Sequence, residues 1–357
     1  MKKFRVGIIG TGGISHCHMA GYKALEAEGR VEIVAACDIN EPKLLAYCEK
    51  YNIPHHYTDC WEMMKNEQLD CVSVCTWNSA HKECTIAALR GGANVLCEKP
   101  MAMNAKEAQE MMDTAKACGK LLQLGFVRRF GEDADTVRKL VDEGTFGDIY
   151  YAKATYLRQN GCPGGWFGDK SRSGGGPLYD LGVHVIDLVR YIEGNKKPVS
   201  VYGATWQKLL NRPNLKTPKG YYSASRTDHD VCDVEDLAVA MIRFEDGSVL
   251  YVEASFSLNI QKGSGAIELF GSKGGAKLDG STLDLTSEMY DYMTDIKLNG
   301  AKADMGDFFQ KEIDHFVDCV INPETVCKAP AEDGVTIMKI LCAIYESART
   351  GHEVIIK

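Results

Sequence analysis

Features that identify several other protein classes are missing from this sequence. Its 14 cysteines form no C-x-x-C pair, and no segment approaches the ~20 consecutive apolar residues of a membrane-spanning helix. The formal net charge is -8, so the excess of basic residues that binds nucleic acid or anionic lipid is missing too. We therefore expect neither a nucleic acid nor a membrane as a partner.

The cysteines and the N-terminus indicate a compartment. Many cysteines, such as Cys37, Cys71 and Cys97, lie in apolar segments and are expected to be small buried side chains rather than halves of disulfides. The first apolar run, 4–9, ends at Gly10, which suits a β-strand better than a signal peptide. We predict a cytoplasmic protein without a disulfide framework.

Residues 1–125 alternate between short β-branched runs and segments of helical spacing. This alternation predicts a doubly wound parallel sheet with helices on both faces, a Rossmann domain whose ligand lies at the carboxyl ends of the strands. The predicted strands cover residues 4–9, 31–37, 70–76, 94–97 and 121–125, and the predicted helices cover residues 13–27, 41–51, 80–90 and 105–117.

From residue 126 to residue 357, strand runs dominate and few helices separate them. Residues 237–244 and 249–258 flank Glu245-Asp246-Gly247, which predicts a β-hairpin. This pattern indicates an α+β second domain. Its helices are predicted at residues 134–141, 181–192, 305–321 and 333–350.

The sequence Gly10-Thr11-Gly12-Gly13-Ile14-Ser15 follows the first strand and opens the first helix. Here Gly10 permits a tight turn and Gly12 lets the backbone approach a pyrophosphate, which the helix N-terminus stabilises. A glycine-rich turn without any ligand is the alternative. Asp38, at the end of the next strand, has the spacing of the acidic residue that binds ribose hydroxyls and repels the 2′-phosphate of NADP. Alternatively, Asp38 is the N-cap of the helix that begins at Glu41.

Polar residues follow two further strands of the predicted parallel sheet. The segment Thr76-Trp77-Asn78-Ser79-Ala80-His81 is expected to lie over the cofactor, although Asn78 or Ser79 could simply cap the following helix. Lys99, in Glu98-Lys99-Pro100, either orients a substrate hydroxyl and relays a proton or is a solvated charge at a strand end.

The segment from Gly174 to His184 reads GGGPLYDLGVH. Asp180 and His184 lie four residues apart at a helix start and are expected to share one face. The glycines are expected to let the backbone approach a ligand. A histidine oriented by a carboxylate can accept the hydroxyl proton during oxidation of an alcohol. An N-capping Asp180 with a core His184 is the alternative.

We predict no metal site. The acidic residues between Asp228 and Asp236 have no zinc spacing. His16 and His18 are two apart on a predicted helix, so they face different directions.

Taken in order, these motifs resemble the glucose-fructose oxidoreductase/inositol dehydrogenase family, known as Gfo/Idh/MocA. The resemblance rests on residues 10–15, Asp38, residues 76–81, residues 98–100 and residues 174–184, and it spans the whole chain. The combination of Glu-Lys-Pro with Gly-Gly-Gly followed by Asp-x-x-x-His is specific to that family.

The resemblance implies an open, mostly antiparallel sheet in the second domain, whose exposed face forms the contact of a homodimer or homotetramer. It implies that Lys99 is a catalytic lysine, that the Lys99–Pro100 bond is cis, and that His184 is the base of an Asp180/His184 pair. The chain departs from the family in having Trp77 where proline is usual, and Ser15 replaces the third glycine of the turn.

We therefore predict a dehydrogenase that transfers a hydride between a carbinol of a sugar, inositol or related polyol and NAD, with NADP less suited. Residues 1–125 are predicted to form the NAD-binding domain, and residues 126–357 are predicted to bind substrate and to form the oligomer. Loops 157–177 and 207–233 are expected to determine the substrate. An NAD-retaining glycoside hydrolase that uses transient oxidation and a non-catalytic sugar-sensing regulator remain open.

The predicted site residues fall into three groups. The catalytic group comprises Lys99, Asp180 and His184. These three are also expected to contact the substrate, together with Arg128, Tyr156 and Trp166. The predicted cofactor contacts are Gly10, Gly12, Gly13, Ile14, Asp38, Thr76, Trp77, Asn78, His81, Glu98 and Lys99.

Overall fold

A computed structural model describes residues 3–159, 161–209, 212, 221–280, 282–298 and 305–357. Parts of the predicted specificity loops, namely residue 160 and residues 210, 211 and 213–220, lie outside the described residues. The chain forms two compact units, one of residues Met1–Val127 with Met305–Val335 and one of Arg128–Asp304 with Thr336–Lys357.

The first unit contains a six-stranded parallel sheet. Its strands are β1 (Phe4–Ile9), β2 (Val31–Cys37), β3 (His55–Tyr57), β4 (Cys71–Val74), β5 (Asn94–Glu98) and β6 (Leu122–Gly125). Its helices before residue 127 are α1 (Ser15–Ala27), α2 (Glu41–Tyr51), α3 (Cys60–Asn66), α4 (His81–Arg90) and α5 (Ala105–Cys118). The strand order is β3-β2-β1-β4-β5-β6, the order of a dinucleotide-binding Rossmann fold. The predicted doubly wound fold is confirmed.

The second unit contains a nine-stranded sheet. Its strands are β7 (Ile149–Leu157), β8 (Pro198–Trp206), β9 (Leu237–Phe244), β10 (Val249–Ser255), β11 (Ser264–Gly271), β12 (Gly274–Leu278), β13 (Leu283–Met289), β14 (Tyr292–Lys297) and β15 (Val354–Ile355). The order is β14-β13-β12-β11-β7-β10-β9-β8-β15. Among these described strands, β7 and β10 pair in parallel, and the other neighbouring pairs are antiparallel. The mostly antiparallel sheet is confirmed.

The helices of the second unit include the one that follows the glycine segment. Those that precede residue 304 are α6 (Glu132–Asp142), α7 (Lys170–Ser173) and α8 (Val183–Ile192). A π-helical turn, Leu178–Gly182, leads directly into α8. The predicted hairpin joins β9 to β10, and Gly247 there has φ +86°.

Two helices close the chain, α9 (Met305–Ile321) and α10 (Ala331–Thr350). α9 belongs to the first unit, where Phe316 and Val317 join the core cluster that contains Tyr22. A Cβ at Gly21 of α1 would lie 2.9 Å from Ile313, so α1 and α9 pack closely. The domain prediction, which assigned all of 126–357 to one domain, therefore differs from the compact units at residues 126–127 and 305–335.

Some elements had no prediction. β3, α3, β13, β14 and β15 are short or polar, and their periodicity is correspondingly weak. Cysteines at all 14 positions are free thiols, as expected. None of the helices built from the described residues has an apolar stretch sufficient to traverse a bilayer.

Candidate active site

The glycine turn follows β1 and approaches the end of β4. Gly10 has φ +90°, and a Cβ there would lie 2.6 Å from the carbonyl carbon of Cys75 and 2.7 Å from the amide nitrogen of Thr76. Glycine is therefore required at this position by both conformation and space. At Gly12 the nearest atom to a Cβ would be the oxygen of Cys75, 3.9 Å away. The backbone at Gly12 thus has open space for a ligand.

The start of α1 has the electrostatics of an anion site. Its N-cap is Ile14, which supplies no side-chain hydrogen bond, and its first turn contains no acidic residue. By contrast, α2 has the N-cap Asn40 and Glu41 in its first turn. The positive end of the α1 dipole is therefore not neutralised by a side chain of its own first turn, which fits the pyrophosphate of a dinucleotide.

Asp38 lies at the carboxyl end of β2 in a fixed orientation. Its Oδ2 accepts hydrogen bonds of 2.8 Å from both the amide and the hydroxyl of Thr11, and its Oδ1 accepts one of 2.9 Å from the amide of Asn40. The N-cap of α2 is Asn40, which accepts from the amide of Lys43. The alternative that Asp38 caps this helix is therefore wrong, and its carboxylate fits a ribose diol.

We expect Gly10→Ala to destabilise the protein and to weaken NAD binding by about tenfold or more, because each ~1.4 kcal/mol of distortion in the pyrophosphate site costs a factor of ten. The matched control is Gly29→Ala: Gly29 also has positive φ (+77°), but a Cβ there meets no described atom within 4 Å. Thermal unfolding and calorimetric titration with NAD measure both effects. Equal losses in the two variants would refute the steric explanation.

The segment after β4 is held by a buried histidine. His81 has its Nδ1 2.8 Å from the carbonyl oxygen of Pro100 and its Nε2 3.2 Å from that of Thr76. Burial lowers the pKa of His81, and the hydrogen bonds to the two carbonyl oxygens oppose this shift. His81 links the end of β4 to the loop after β5.

The N-caps of the short 3-10 turn and of α4 are Trp77 and Ala80, so the capping role suggested for Asn78 or Ser79 is wrong.

Glu98 and Lys99 lie at the carboxyl end of β5. Glu98 is buried; its Oε1 lies 2.9 Å from Nε2 of His18, and its Oε2 accepts a 3.1 Å hydrogen bond from the Lys99 amide. Burial opposes its ionisation, but the hydrogen bond and charge of His18 and the charge of Lys99 outweigh it, so the pKa of Glu98 is lowered. Lys99 is half-buried, and the Lys99–Pro100 bond is cis.

In the second unit, Asp180 lies in the π-helical turn and His184 is the second residue of α8. A π-turn bonds residue i to residue i+5 and so changes the α-helical phase from which a shared face was expected; the shared face of Asp180 and His184 stays a prediction. Such turns recur at functional sites. Both side chains are half-buried. The guanidinium of Arg158 lies 3.9 Å from Oδ2 of Asp180.

Glu235 fixes the glycine segment that precedes Asp180. This buried carboxylate accepts hydrogen bonds from the amides of Gly176 (2.9 Å) and Leu178 (3.2 Å) and from the hydroxyl of Tyr345 (2.7 Å). A Cβ at Gly176 would lie 2.4 Å from the Glu235 carbonyl oxygen, and one at Gly175 would lie 2.1 Å from the Tyr345 hydroxyl. These two glycines therefore accommodate protein atoms, which corrects the expectation that they serve ligand approach.

Glu235→Gln is expected to lower the free energy of unfolding by about 1–3 kcal/mol, because the new amide group must turn a donor toward a backbone N–H. Turnover should fall as well, since the segment leading to Asp180 loses its anchor. Tyr345→Phe removes one donor and leaves the carboxylate, so a smaller loss of about 1 kcal/mol is expected. Chemical denaturation measures the free energy of unfolding of both variants. A larger loss in Tyr345→Phe than in Glu235→Gln would contradict this explanation.

The predicted aromatic substrate contacts lie in the same unit as Asp180. Trp166 stacks on Phe167 with ring centroids 4.0 Å apart. The guanidinium carbon of Arg158 lies over the ring of Tyr156, 5.4 Å from the centroid of that ring. Both aromatic residues are half-buried, so each retains surface for a ligand.

Arg128 and Arg129 are adjacent in the sequence but differ in environment. Arg128 is a partly exposed side chain 3.6 Å from Asp133 and stays a predicted substrate contact. Arg129 is fully buried and forms a two-pronged ion pair with Asp187 of α8, at 2.9 Å and 2.5 Å. Arg129 thus anchors the helix that carries His184.

Several carboxylates of residues 228–236 accept hydrogen bonds from loop backbone. Asp230 accepts from the amide of Gly165, and Asp233 accepts at 2.7 Å from that of Lys170. Within the described residues, two other groups have ligand atoms mutually within 4.8 Å, and neither was predicted. They are His18 with Glu98 and Glu312, and His315 with Cys319 and Cys327.

Sequence reasoning missed several of these supporting residues. Thr11 occupies a position of the glycine turn that the motif leaves unspecified, so the motif did not predict its hydrogen bonds to Asp38. His18 was treated only as a neighbour of His16, although its i+4 spacing to the apolar Tyr22 predicts a shared buried face. Glu235 was considered only as part of an acidic loop.

Comparison with known proteins supports the assignment of the family. Residues 4–126 match the family model described as "Oxidoreductase family, NAD-binding Rossmann fold", and residues 134–277 match the "GFO/IDH/MocA C-terminal domain". The D-glucoside 3-dehydrogenase of Escherichia coli K12 is 35% identical over 98% of this chain and 97% of its own. The myo-inositol 2-dehydrogenase of Thermotoga maritima is 28% identical over 80% of this chain and 79% of its own.

Solved structures agree in fold. A levoglucosan dehydrogenase in complex with NADH and L-sorbose superposes with a TM-score of 0.86 at 23% identity, over 100% of both chains. The predicted family resemblance, the Rossmann cofactor domain and NAD as the cofactor are confirmed. This chain belongs to the Gfo/Idh/MocA family of NAD-binding oxidoreductases.

Proposed function

We propose that this protein oxidises a secondary carbinol of a glycoside or other cyclic sugar to a ketone, with NAD as acceptor. The observation that carries the proposal is the 35% identity to a D-glucoside 3-dehydrogenase along nearly the entire length of both chains. Other relatives act, by their names, on levoglucosan and myo-inositol, which are also cyclic and rich in secondary hydroxyls.

When bound, NAD would supply the acceptor for the hydride of the carbinol carbon. Lys99 donates a hydrogen bond to the reacting oxygen and stabilises its developing negative charge. His184 accepts the hydroxyl proton, and Asp180 orients His184 or the substrate. The family resemblance and the positions of the three residues support these roles. Lys99 follows β5, and Asp180 and His184 follow the Glu235-anchored segment.

The cofactor-binding residues favour NAD over NADP. The Asp38 carboxylate, held by Thr11 and Asn40, would repel a 2′-phosphate and accept hydrogen bonds from the ribose hydroxyls. Gly12, Gly13 and Ile14 are proposed to bind the pyrophosphate at the start of α1. Contacts from residues Thr76, Trp77, Asn78, His81, Glu98 and Lys99 remain part of this proposal.

We also propose a cytoplasmic homodimer or homotetramer that assembles through the second sheet. Tyr202 of β8 and Met241 of β9 are direct register neighbours, and their exposed fractions are 54% and 52%. Two such large apolar side chains side by side on a sheet face suit an interface between copies.

The function is tested by an absorbance screen for NADH formation. The purified chain is incubated with NAD or NADP and with alkyl glucosides, free hexoses, pentoses and inositols. We expect NADH to form when a glycoside is supplied with NAD, and little NADPH to form when it is supplied with NADP. Glycosidic cleavage without net NADH would instead favour the hydrolase, and binding of sugars without any turnover would favour the regulator.

A further inference from the structure

The most unusual buried group of the first unit is Glu312, on α9. Its side chain is fully buried, and both carboxyl oxygens lack a hydrogen-bond partner among the described residues. A buried ionised carboxylate without partners would be very costly, because its desolvation is not compensated. Glu312 therefore needs either a proton or a bound cation.

The surroundings of Glu312 show which groups are within reach. One of its oxygens lies within 4.8 Å of an oxygen of Glu98 and of a nitrogen of His18. His18 in turn has its Nδ1 3.1 Å from the hydroxyl of Ser73, which lies 2.9 Å from that of Tyr22. The cluster is almost completely shielded from water, since His18 and Glu312 are 0% exposed and Glu98 is 6% exposed.

We propose that Glu312 is a neutral carboxylic acid whose O–H donates a hydrogen bond to Glu98, and that this bond helps hold the Glu98–Lys99 segment in position. The hydrogen bond from His18 already occupies one oxygen of Glu98, and the amide of Lys99 occupies the other. Each oxygen has a second lone pair, so a third donor can be accommodated. Glu312 is thus a positioning residue that acts through Glu98.

The charges in the cluster support a proton rather than a cation. Burial, reinforced by the negative charge of Glu98, raises the pKa of Glu312 well above its usual range. Nε2 of His18 and Oε1 of Glu98 are 2.9 Å apart, the usual distance of a direct hydrogen bond between the two side chains. The titratable groups that face this cluster come from four segments. They are Cys17, His18 and Tyr22 of α1; Cys75, just after β4; Cys97 and Glu98 of β5, with Lys99 just after it; and His81 of α4.

The sign of the pH effect follows from the raised pKa. Above about pH 4.5, Glu312 is ionised in the unfolded chain but keeps its proton in the folded chain. The folded state therefore binds one more proton, and the free energy of unfolding falls as pH rises up to the folded-state pKa. Glu312→Gln removes this dependence while keeping a neutral donor of similar shape.

The first experiment needs no substrate. Chemical denaturation of the wild type, Glu312→Gln and the control Glu324→Gln, an exposed glutamate just beyond α9, is measured from about pH 5 to 9. Relative to Glu312→Gln, the wild type should lose stability as pH rises, by up to about tenfold in the unfolding constant per pH unit. Glu324→Gln should follow the wild type. The proposal would be overturned if the free energy of unfolding of Glu312→Gln changed with pH in parallel with that of the wild type. It would also be overturned if the wild type gained stability relative to Glu312→Gln as pH rises.

Infrared difference spectra and metal analysis make the assignment specific. The wild type at neutral pH should show the C=O band of a protonated carboxylic acid, and the band should be missing from Glu312→Gln. A stoichiometric divalent ion in the wild-type protein that Glu312→Gln loses would identify a cation site instead and overturn the proposal.

The effect on turnover rests on the proposed function and is measured separately. Glu312→Leu, which has no donor, should lower kcat about tenfold with little change in KM, since an acceptor is left unsatisfied next to Lys99. Glu312→Gln should recover most of this loss. An inactive wild type would contradict the proposed function while leaving the infrared and denaturation results valid. Equal turnover in the Leu and Gln variants would refute the positioning role.

Discussion

Lys99→Ala is expected to lower turnover by about 10²- to 10⁴-fold, the usual contribution of a positioned acid–base group. The reason is local. Lys99 follows β5 at the carboxyl edge of the Rossmann sheet, its amide is bound by the buried Glu98, and its side chain is half-buried. An ammonium there would stabilise the charge that develops on the substrate oxygen.

The dissociation constant of NAD should change little in the same variant, because the pyrophosphate and ribose contacts are assigned to Gly12 and Asp38. Calorimetric titration with NAD and steady-state turnover separate binding from chemistry. Lys106→Ala, at an exposed lysine in the first turn of α5, is the matched control and should behave like the wild type. Full turnover in Lys99→Ala would remove Lys99 from the mechanism.

Lys99→Arg extends the test. Arginine keeps the positive charge but is larger, cannot release its proton and has a different donor geometry. If Lys99 only supplied a charge, Arg would recover much of the activity. We expect poor recovery, because the proposed role includes close contact with the reacting oxygen.

The second large effect is expected for His184→Ala, with a loss of about 10²- to 10⁴-fold in turnover. In the wild type, the logarithm of kcat/KM should rise with pH until the base is fully deprotonated and then level off. Without the base, that ionisation should disappear from the profile, and the residual rate should climb with hydroxide instead.

Two controls make the His184 result interpretable. His352→Ala replaces an exposed histidine just beyond α10 and should leave the profile unchanged. Asp180→Asn should give an intermediate loss, because it keeps the shape of the side chain but removes the charge that orients or stabilises the protonated imidazole. A pH profile that keeps its ionisation in His184→Ala would show that another group is the base.

Most of the first sheet could be predicted from the sequence, for a clear physical reason. Strands buried on both faces are mainly apolar runs, as in residues 4–9 and 31–37, and glycines such as Gly10 mark their ends. The strands β1 and β2 were predicted with their observed bounds, Phe4–Ile9 and Val31–Cys37. These are local patterns, and local patterns are what a single sequence contains.

What the sequence does not contain is the partner of each element. The helix at residues 305–321 was predicted, but its apolar face gives no information about which sheet it covers, and it joins the first unit. Glu312 could have been noticed, since Phe308 and Phe316 lie four residues to either side on the buried face of α9. Its proximity to His18 and Glu98 depends on the fold.

The candidate site was predictable to a similar extent. Asp38, Lys99, Asp180 and His184 were identified from motifs, whereas their supports come from distant segments. Glu235 lies 59 residues beyond Gly176, whose amide it binds. The π-turn at Asp180 also escaped prediction, because α and π turns share the same composition and differ only in backbone bonding.

The central claim is that this protein transfers a hydride from a sugar carbinol carbon to NAD. The most direct test uses a glycoside accepted in the screen, carrying deuterium at one ring carbon at a time, with mass spectrometry of the reduced cofactor. We expect one labelled position, and no other, to yield NADH heavier by a single deuterium, together with the ketone at that carbon. Reduced cofactor that never carries the label, whichever ring carbon is deuterated, would contradict it.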